Sequence, residues 1–239
     1  MPPRKYKHKI KRSYKKKYNR KPRTAKGSIF PRTRTTTLRY AQSYVFTGEQ
    51  GSGSVSVAQI QLNSCHSPEG SYAIYARQFT NAQPYLYDQI RPMYDNYCVV
   101  KTKVKCTWAC EYVTKYSADY IANPSFIALL RDCDDNSTLP SDTQLEMVRP
   151  NAMYKVTTSG KPVSISKTYD IAKLAGISRA QLLADPSNWG GSVSSSSPTN
   201  IYYANAVQQA IGSNINRASV LVEIHQTVVF IGPTQVGMS

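Results

Sequence analysis

The chain has 239 residues, with 30 Lys or Arg against 14 Asp or Glu, a formal net charge of +16. Residues 1–39 hold 16 of the basic residues and no acidic one, so the other 200 residues balance at 14 of each sign. Five cysteines at irregular positions argue against a disulfide scaffold and for a reducing compartment. The most apolar stretch, residues 218–232, is interrupted by Glu223 and His225, which argues against a membrane-spanning helix.

The N-terminal segment is a polyelectrolyte. Its cations are Arg4, Lys5, Lys7, Lys9, Lys11, Arg12, Lys15, Lys16, Lys17, Arg20, Lys21, Arg23, Lys26, Arg32, Arg34 and Arg39. Like charges at this density repel, and too little apolar surface accompanies them to offset the entropy of ordering, so residues 1–39 are expected to form a disordered arm. Such an arm calls for a polyanion, and nucleic acid fits best because each neutralised phosphate releases counterions. The arm has no apolar face at helical spacing, so no membrane insertion is expected. Charges without a following apolar stretch also give no secretory signal. Tyr6, Tyr14 and Tyr18 interleave with the cations and could stack on unpaired bases, which suits single strands. The clusters Lys11-Arg12 and Lys15-Lys16-Lys17 match a nuclear import signal, a pattern that any nucleic-acid arm would share.

Beyond the arm, strand patterns follow in order. A first strand is read over residues 38–46, a Gly/Ser turn over 48–53 and a second strand over 55–62. A helical turn is placed at 85–90, stopping before Pro92. The strongest strand is 98–111 (CVVKTKVKCTWACE), where Cys98, Val100, Thr102, Val104, Cys106, Trp108 and Cys110 alternate with a polar set that includes Lys101, Lys103 and Lys105. That period of two describes a strand with one buried face. Further strands are read over 126–131, 153–158, 162–169 and 201–207, with a hairpin connection at 158–161. Residues 132–142 and 186–198 read as surface loops, the second mobile because of its Gly-Gly pair and four serines. Ser178-Arg179-Ala180-Gln181 forms a capping box that starts a helix ended by Pro186. A last long strand spans 218–231 (ASVLVEIHQTVVFI), where Gln226 breaks the apolar face and predicts a bulge or a polar partner.

These elements predict an all-β fold: residues 40–239 form a single jelly roll of about eight antiparallel strands, with short helices in the loops.

No catalytic constellation emerges. The three histidines are His8 in the arm, His66 in a loop and His225 on a polar strand face, with no nucleophile and acid placed beside them. Ser159-Gly160-Lys161 lacks the upstream glycine of a phosphate loop. Cys106 and Cys110 lack further ligands, and Asp132, Asp134 and Asp135 read as solvated loop charges rather than a cation site, so no metal or cofactor is expected. Lys101, Lys103 and Lys105 form a row that could touch nucleic acid or could lie on a solvated or intersubunit face.

The stretch Tyr94-Asp95-Asn96-Tyr97-Cys98-Val99-Val100-Lys101-Thr102-Lys103-Val104-Lys105 resembles the "YDxYxVxxxKxKV" segment of capsid proteins from circovirus-like, circular, Rep-encoding single-stranded DNA viruses. The basic arm running into a first strand, and the long last strand with a short tail, resemble the same family. Cys98 stands where that family often has arginine, and this arm uses more lysine. The resemblance implies a non-enzymatic capsid protein that assembles, in ~60 copies, into a small icosahedral shell around single-stranded DNA. The arms would then bring on the order of a thousand positive charges to the genome. It further implies a virion location, passage through the host nucleus with an import receptor, and a cell-surface receptor. A coat protein of a small RNA virus or satellite would share fold and arm. A cellular nucleic-acid-binding protein with a basic tail would share the arm alone. On the capsid reading, deleting residues 1–39 is expected to spare the fold and abolish most packaging.

Overall fold

The structure is a computed structural model that describes residues 31–47, 55–66, 68–72, 76–78, 84–110, 125–132, 153–157, 161–192, 197–210 and 217–234. Eleven strands occur in it: β1 (Thr33–Thr47), β2 (Val55–Gln61), β3 (Glu69–Tyr72), β4 (Ala76–Gln78), β5 (Tyr94–Cys110), β6 (Ser125–Asp132), β7 (Met153–Thr157), β8 (Val163–Asp170), β9 (Gly191–Ser192), β10 (Tyr203–Ala210) and β11 (Arg217–Pro233). The α-helices are α1 (Tyr87–Ile90), α2 (Ile171–Ala175), α3 (Arg179–Ala184) and α4 (Pro186–Trp189), with a 3₁₀ turn at Arg91–Met93.

All strand pairings are antiparallel and fall into two sheets, ordered β4-β1-β11-β5-β8 and β3-β2-β10-β6-β7, with β9 attached to β5. The pairings nest. β1 pairs with β11, β2 with β10, β5 with β8 and β6 with β7, first strand to last and inward. The chain is therefore one long hairpin rolled up so that successive pairs alternate between sheets, and the added pairings β11 to β5 and β10 to β6 complete each sheet. That topology is a jelly roll. Its eight principal strands match the number expected, and β3, β4 and β9 are short additions.

The sandwich interior explains the alternation. In β11, Ala218, Val220, Val222, Ile224, Gln226 and Val228 are buried while Arg217, Ser219 and Leu221 are exposed. Trp108, Tyr87, Tyr97, Phe46, Phe230 and Leu38 are the bulkiest fully buried side chains, brought together from β1, α1, β5 and β11. Each contributes roughly 1.5–3 kcal/mol through removal of apolar area from water.

Several boundaries differ from the sequence reading. The first strand begins at Thr33, so residues 33–39 of the expected arm lie in the sheet, paired from Thr33↔Ile231 to Arg39↔His225. Threonine-rich 33–37 lacks the apolar alternation that marks a strand, yet β11 supplies a partner for its backbone. The folded part then carries a small excess of two cations, Arg34 and Arg39, rather than a balance. α1 does end at Ile90, before Pro92, but a 3₁₀ turn follows with Pro92 inside it, a place proline can take because its missing N–H falls in the first helical positions. Asp132 ends β6 instead of opening a loop; Asp134 and Asp135 lie outside the described residues. The expected loop at 186–198 contains α4 and β9, while residues 193–196 lie outside the described set.

Other details match. Ser178 and Gln181 form both bonds of the capping box: the Gln181 backbone N–H donates to Ser178 Oγ at 3.2 Å, and the Ser178 backbone N–H to Gln181 Oε1 at 2.9 Å. Gln226 has both a bulge and polar partners. The register with β5 shifts between Thr227 and Val228, and the Gln226 amide donates to the Ser64 carbonyl at 3.0 Å and the Leu62 carbonyl at 3.4 Å. Gly190 permits the approach of β9 to β5, because a Cβ there would lie 1.9 Å from the Tyr97 carbonyl oxygen.

Candidate nucleic-acid interface

The two sheets turn chemically different faces away from the core. In the sheet of β2, β10, β6 and β7, the positions opposite the core are Val55, Val57 and Gln59, then Asn205, Val207 and Gln209, then Phe126, Ala128 and Leu130, then Tyr154 and Val156. None of these is charged, although Asp132 holds the next position of this face on β6; most are buried, and five of them (Val55, Val57, Ala128, Leu130 and Val207) form a second apolar cluster. The other sheet turns outward Arg39, Ala41 and Ser43 of β1 and Ser219, Leu221, Glu223, His225 and Thr227 of β11. From β5 come Lys101, Lys103, Lys105 and Thr107, and from β8 Ser164, Ser166 and Thr168. Charge is thus concentrated on one face.

Register sorts the three lysines, which sequence could not separate. Lys105 lies opposite Glu223, and its Nζ donates to Glu223 Oε2 at 2.6 Å. That bond is the main reason the Glu223 carboxyl sits below its ordinary range. Lys101 faces Thr227 on one side and Asp170 on the other. Asp170 also accepts a bond from the Lys173 backbone N–H, capping α2. Lys103 lies between His225 and Thr168, with no acid opposite it on either neighbouring strand. His225 in turn lies opposite Arg39. One cross-strand row therefore reads Arg39, His225, Lys103 and Thr168. Adjacent members sit about 5 Å apart at the Cα atoms, the ordinary spacing of antiparallel pairs.

The row extends one residue further. Tyr85 forms an antiparallel bridge with Arg39, its backbone N–H donating to the Arg39 carbonyl at 3.0 Å. Tyr85 is 73% exposed, the most exposed of the large hydrophobic side chains described. Sequence alone places Tyr85 in a helical turn and His225 on a polar strand face, solvated or at an interface. Their juxtaposition depends on pairings across more than 40 residues of chain, for which no local signal exists.

Of the arm, Arg32 and Arg34 are exposed at the start of β1, and Arg39 is exposed within it. Arg4, Lys5, Lys7, Lys9, Lys11, Arg12, Lys15, Lys16, Lys17, Arg20, Lys21, Arg23 and Lys26, with Tyr6, Tyr14 and Tyr18, lie outside the described residues. The arm thus joins the sheet that carries the basic face.

Cys65, Cys98 and Cys106 sit inside. Burial raises the thiols of Cys65 and Cys106, and pushes Cys98 up to about 12. Held as neutral thiols, they are poor nucleophiles and poor metal ligands. Cys98 instead donates weakly to the Leu182 carbonyl at 3.5 Å. A cleft beside the start of β5 is lined by Asp88, Arg91, Tyr94, Asp95, Ser192 and Thr234, a set of mixed charge in which the Thr234 hydroxyl donates to Asp95 Oδ1 at 3.2 Å.

No protein-family model matches the chain, and no curated protein matches it in sequence. Among solved structures the chain is similar to Cocksfoot mottle virus, at 10% identity over 98% of this chain and 97% of that chain, with a TM-score of 0.46. It is similar to the 60-mer BFDV capsid protein at 10% identity over 88% and 100% of the two chains, with a TM-score of 0.45. Maize Chlorotic Mottle Virus gives 14% identity over 85% and 98%, with a TM-score of 0.40. The jelly-roll assignment itself rests on the nested strand pairings.

Proposed function

We propose that this chain is a non-enzymatic coat protein: the jelly roll builds the wall of a small icosahedral shell, and the basic arm binds the packaged single-stranded nucleic acid. The observation that carries this reading is the placement of charge. Residues 1–32 hold 14 of the 30 basic residues and no acid, and they enter a nearly neutral β-sandwich on the one sheet whose outer face is cationic. A sandwich that turns one cationic face to solvent suits a wall that faces a polyanion on that side. The near-neutral body limits repulsion between wall subunits, so assembly would depend on interface burial and on neutralisation of the arms.

DNA is the genome proposed, on the resemblance of residues 94–105 to the circovirus-like capsid segment. Passage through the host nucleus, an import receptor reading the Lys11–Lys17 clusters and a surface receptor belong to the same proposal. Electron microscopy of the purified full-length protein tests it. Closed shells of about 60 subunits holding DNase-sensitive, RNase-resistant material once opened are expected. RNase-sensitive contents would move the assignment to an RNA coat protein. A monomer at every salt concentration and pH would end the coat-protein reading.

A further inference from the structure

We propose that the cross-strand row Tyr85–Arg39–His225–Lys103 is a second nucleic-acid site, separate from the arm, that grips a single strand by one stacked base and its neighbouring phosphates. The inference rests on the coat-protein reading for its ligand class, and on the register for its residues.

Four features converge. Arg39 and Lys103 supply exposed cations with no acid opposite them in the row; Glu223, beside the row and within electrostatic reach of Lys103 and His225, is hydrogen-bonded by Lys105. His225 lies between them, and an imidazole donates an N–H to a phosphate oxygen in either protonation state. Tyr85 ends the row with its ring in solvent and, as the bridge partner of Arg39, on the same side of the sheet. The fourth feature is how Tyr85 is held there. Leu86 has φ of 73° and is the only described non-glycine residue with positive φ. A bulky residue adopts this left-handed conformation at a penalty of roughly 1–2 kcal/mol. It turns the chain so that Tyr85 lies along β1 while Tyr87, two residues on, is fully buried. Strain retained beside an exposed aromatic fits a positioned binding group.

The chemistry selects the occupant. Three steps of about 5 Å make a row of roughly 15 Å, about four nucleotides at a stacked rise of 3.4 Å. Cations alone would accept duplex and single strand alike. An exposed ring flush with them favours single strands, whose bases are free to stack. An acidic protein would use the cations and leave Tyr85 idle.

The test uses the full-length chain with oligo(dT) carrying one 5-iododeoxyuridine, photo-cross-linked and mapped by mass spectrometry. An adduct on Tyr85, in addition to any on the arm tyrosines, is expected. Titration at elevated salt, where the arm is screened, should show Tyr85→Ala binding single strands about 5- to 150-fold more weakly. Tyr85→Phe should bind as the parent does, and duplex binding should not respond to either change. Arg39→Ala and Lys103→Ala should each lower the log–log salt slope by about 0.7. Adducts confined to Tyr6, Tyr14 and Tyr18, with Tyr85→Ala binding like the parent, would overturn the row and leave the arm's role standing. Poly-glutamate at matched charge that suppressed formation of the Tyr85 adduct as well as unlabelled oligo(dT) does would also overturn it. Absence of any nucleic-acid binding would overturn the row and the coat-protein reading together.

Discussion

Two truncations seven residues apart separate the arm from the fold. Removing residues 1–32 takes away 14 cations and stops short of β1; removing residues 1–39 also takes the first seven paired positions of that strand. The ladder itself nearly balances, because net hydrogen-bond gains of about 0.5–1.5 kcal/mol each are set against about 1–2 kcal/mol of backbone ordering per residue. Leu38 tips the result. Its side chain is 1% exposed and packs in the main core, so its loss is comparable to a buried Leu→Ala change, about 2–5 kcal/mol. Against a typical total of about 5–15 kcal/mol, that is a large fraction. It also leaves the corresponding backbone of β11 without its β1 partner, an edge prone to aggregation. Urea titrations followed by the fluorescence of the two tryptophans, Trp108 buried and Trp189 partly buried, compare the two directly. The 1–32 deletion should unfold at the midpoint of the full chain, and the 1–39 deletion at a clearly lower one or from an aggregated state. Equal midpoints for both truncations would refute the assignment of residues 33–39 to the fold.

Three further outcomes are expected. Gln226→Leu should cost about 1–3 kcal/mol in thermal or urea unfolding, because the buried Ser64 carbonyl loses its amide donor; a neutral or stabilising result would contradict that role. Mass-mapped alkylation at pH 8 should leave Cys65, Cys98 and Cys106 unmodified in the folded protein and label them in denaturant, since burial holds all three as thiols; labelling at the native rate of a free thiol would show that the core opens. Glu223→Gln should remove only about 0.2–1 kcal/mol, as the Lys105 pair is partly exposed. Because the Glu223 carboxyl is lowered in the fold, its contribution is present above the unfolded carboxyl range and fades as pH falls through the folded value. The parent and Glu223→Gln stabilities should therefore differ at neutral pH and converge in acid; a gap that widened in acid would contradict the sign.

The parts of this fold that bury one face per strand were legible in sequence. The alternations from Cys98 to Cys110 and from Ala218 to Phe230 located β5 and β11, and Gln226 signalled a bulge or a polar partner, where the structure has both. What escaped was set by pairing rather than by local pattern. Residues 33–37 are strand because β11 offers its backbone, although their threonines alternate with nothing apolar. The short α4 and β9 sit in a stretch that composition marked as loop, and Gly190 admits β9 through contact with Tyr97. At the interface, sequence supplied Lys101, Lys103 and Lys105 as equals. Only the register shows Lys105 tied to Glu223 and Lys103 aligned with His225, Arg39 and Tyr85.

The central claim is that packaging lies chiefly in the arm and wall-building in the jelly roll. Nuclease-protected nucleic acid per subunit, measured on particles of the full-length chain and of the 1–32 deletion, tests it most directly. The account predicts that the deletion still forms shells and protects only a small fraction of the full-length amount. Undiminished protection per subunit in the deletion would contradict it.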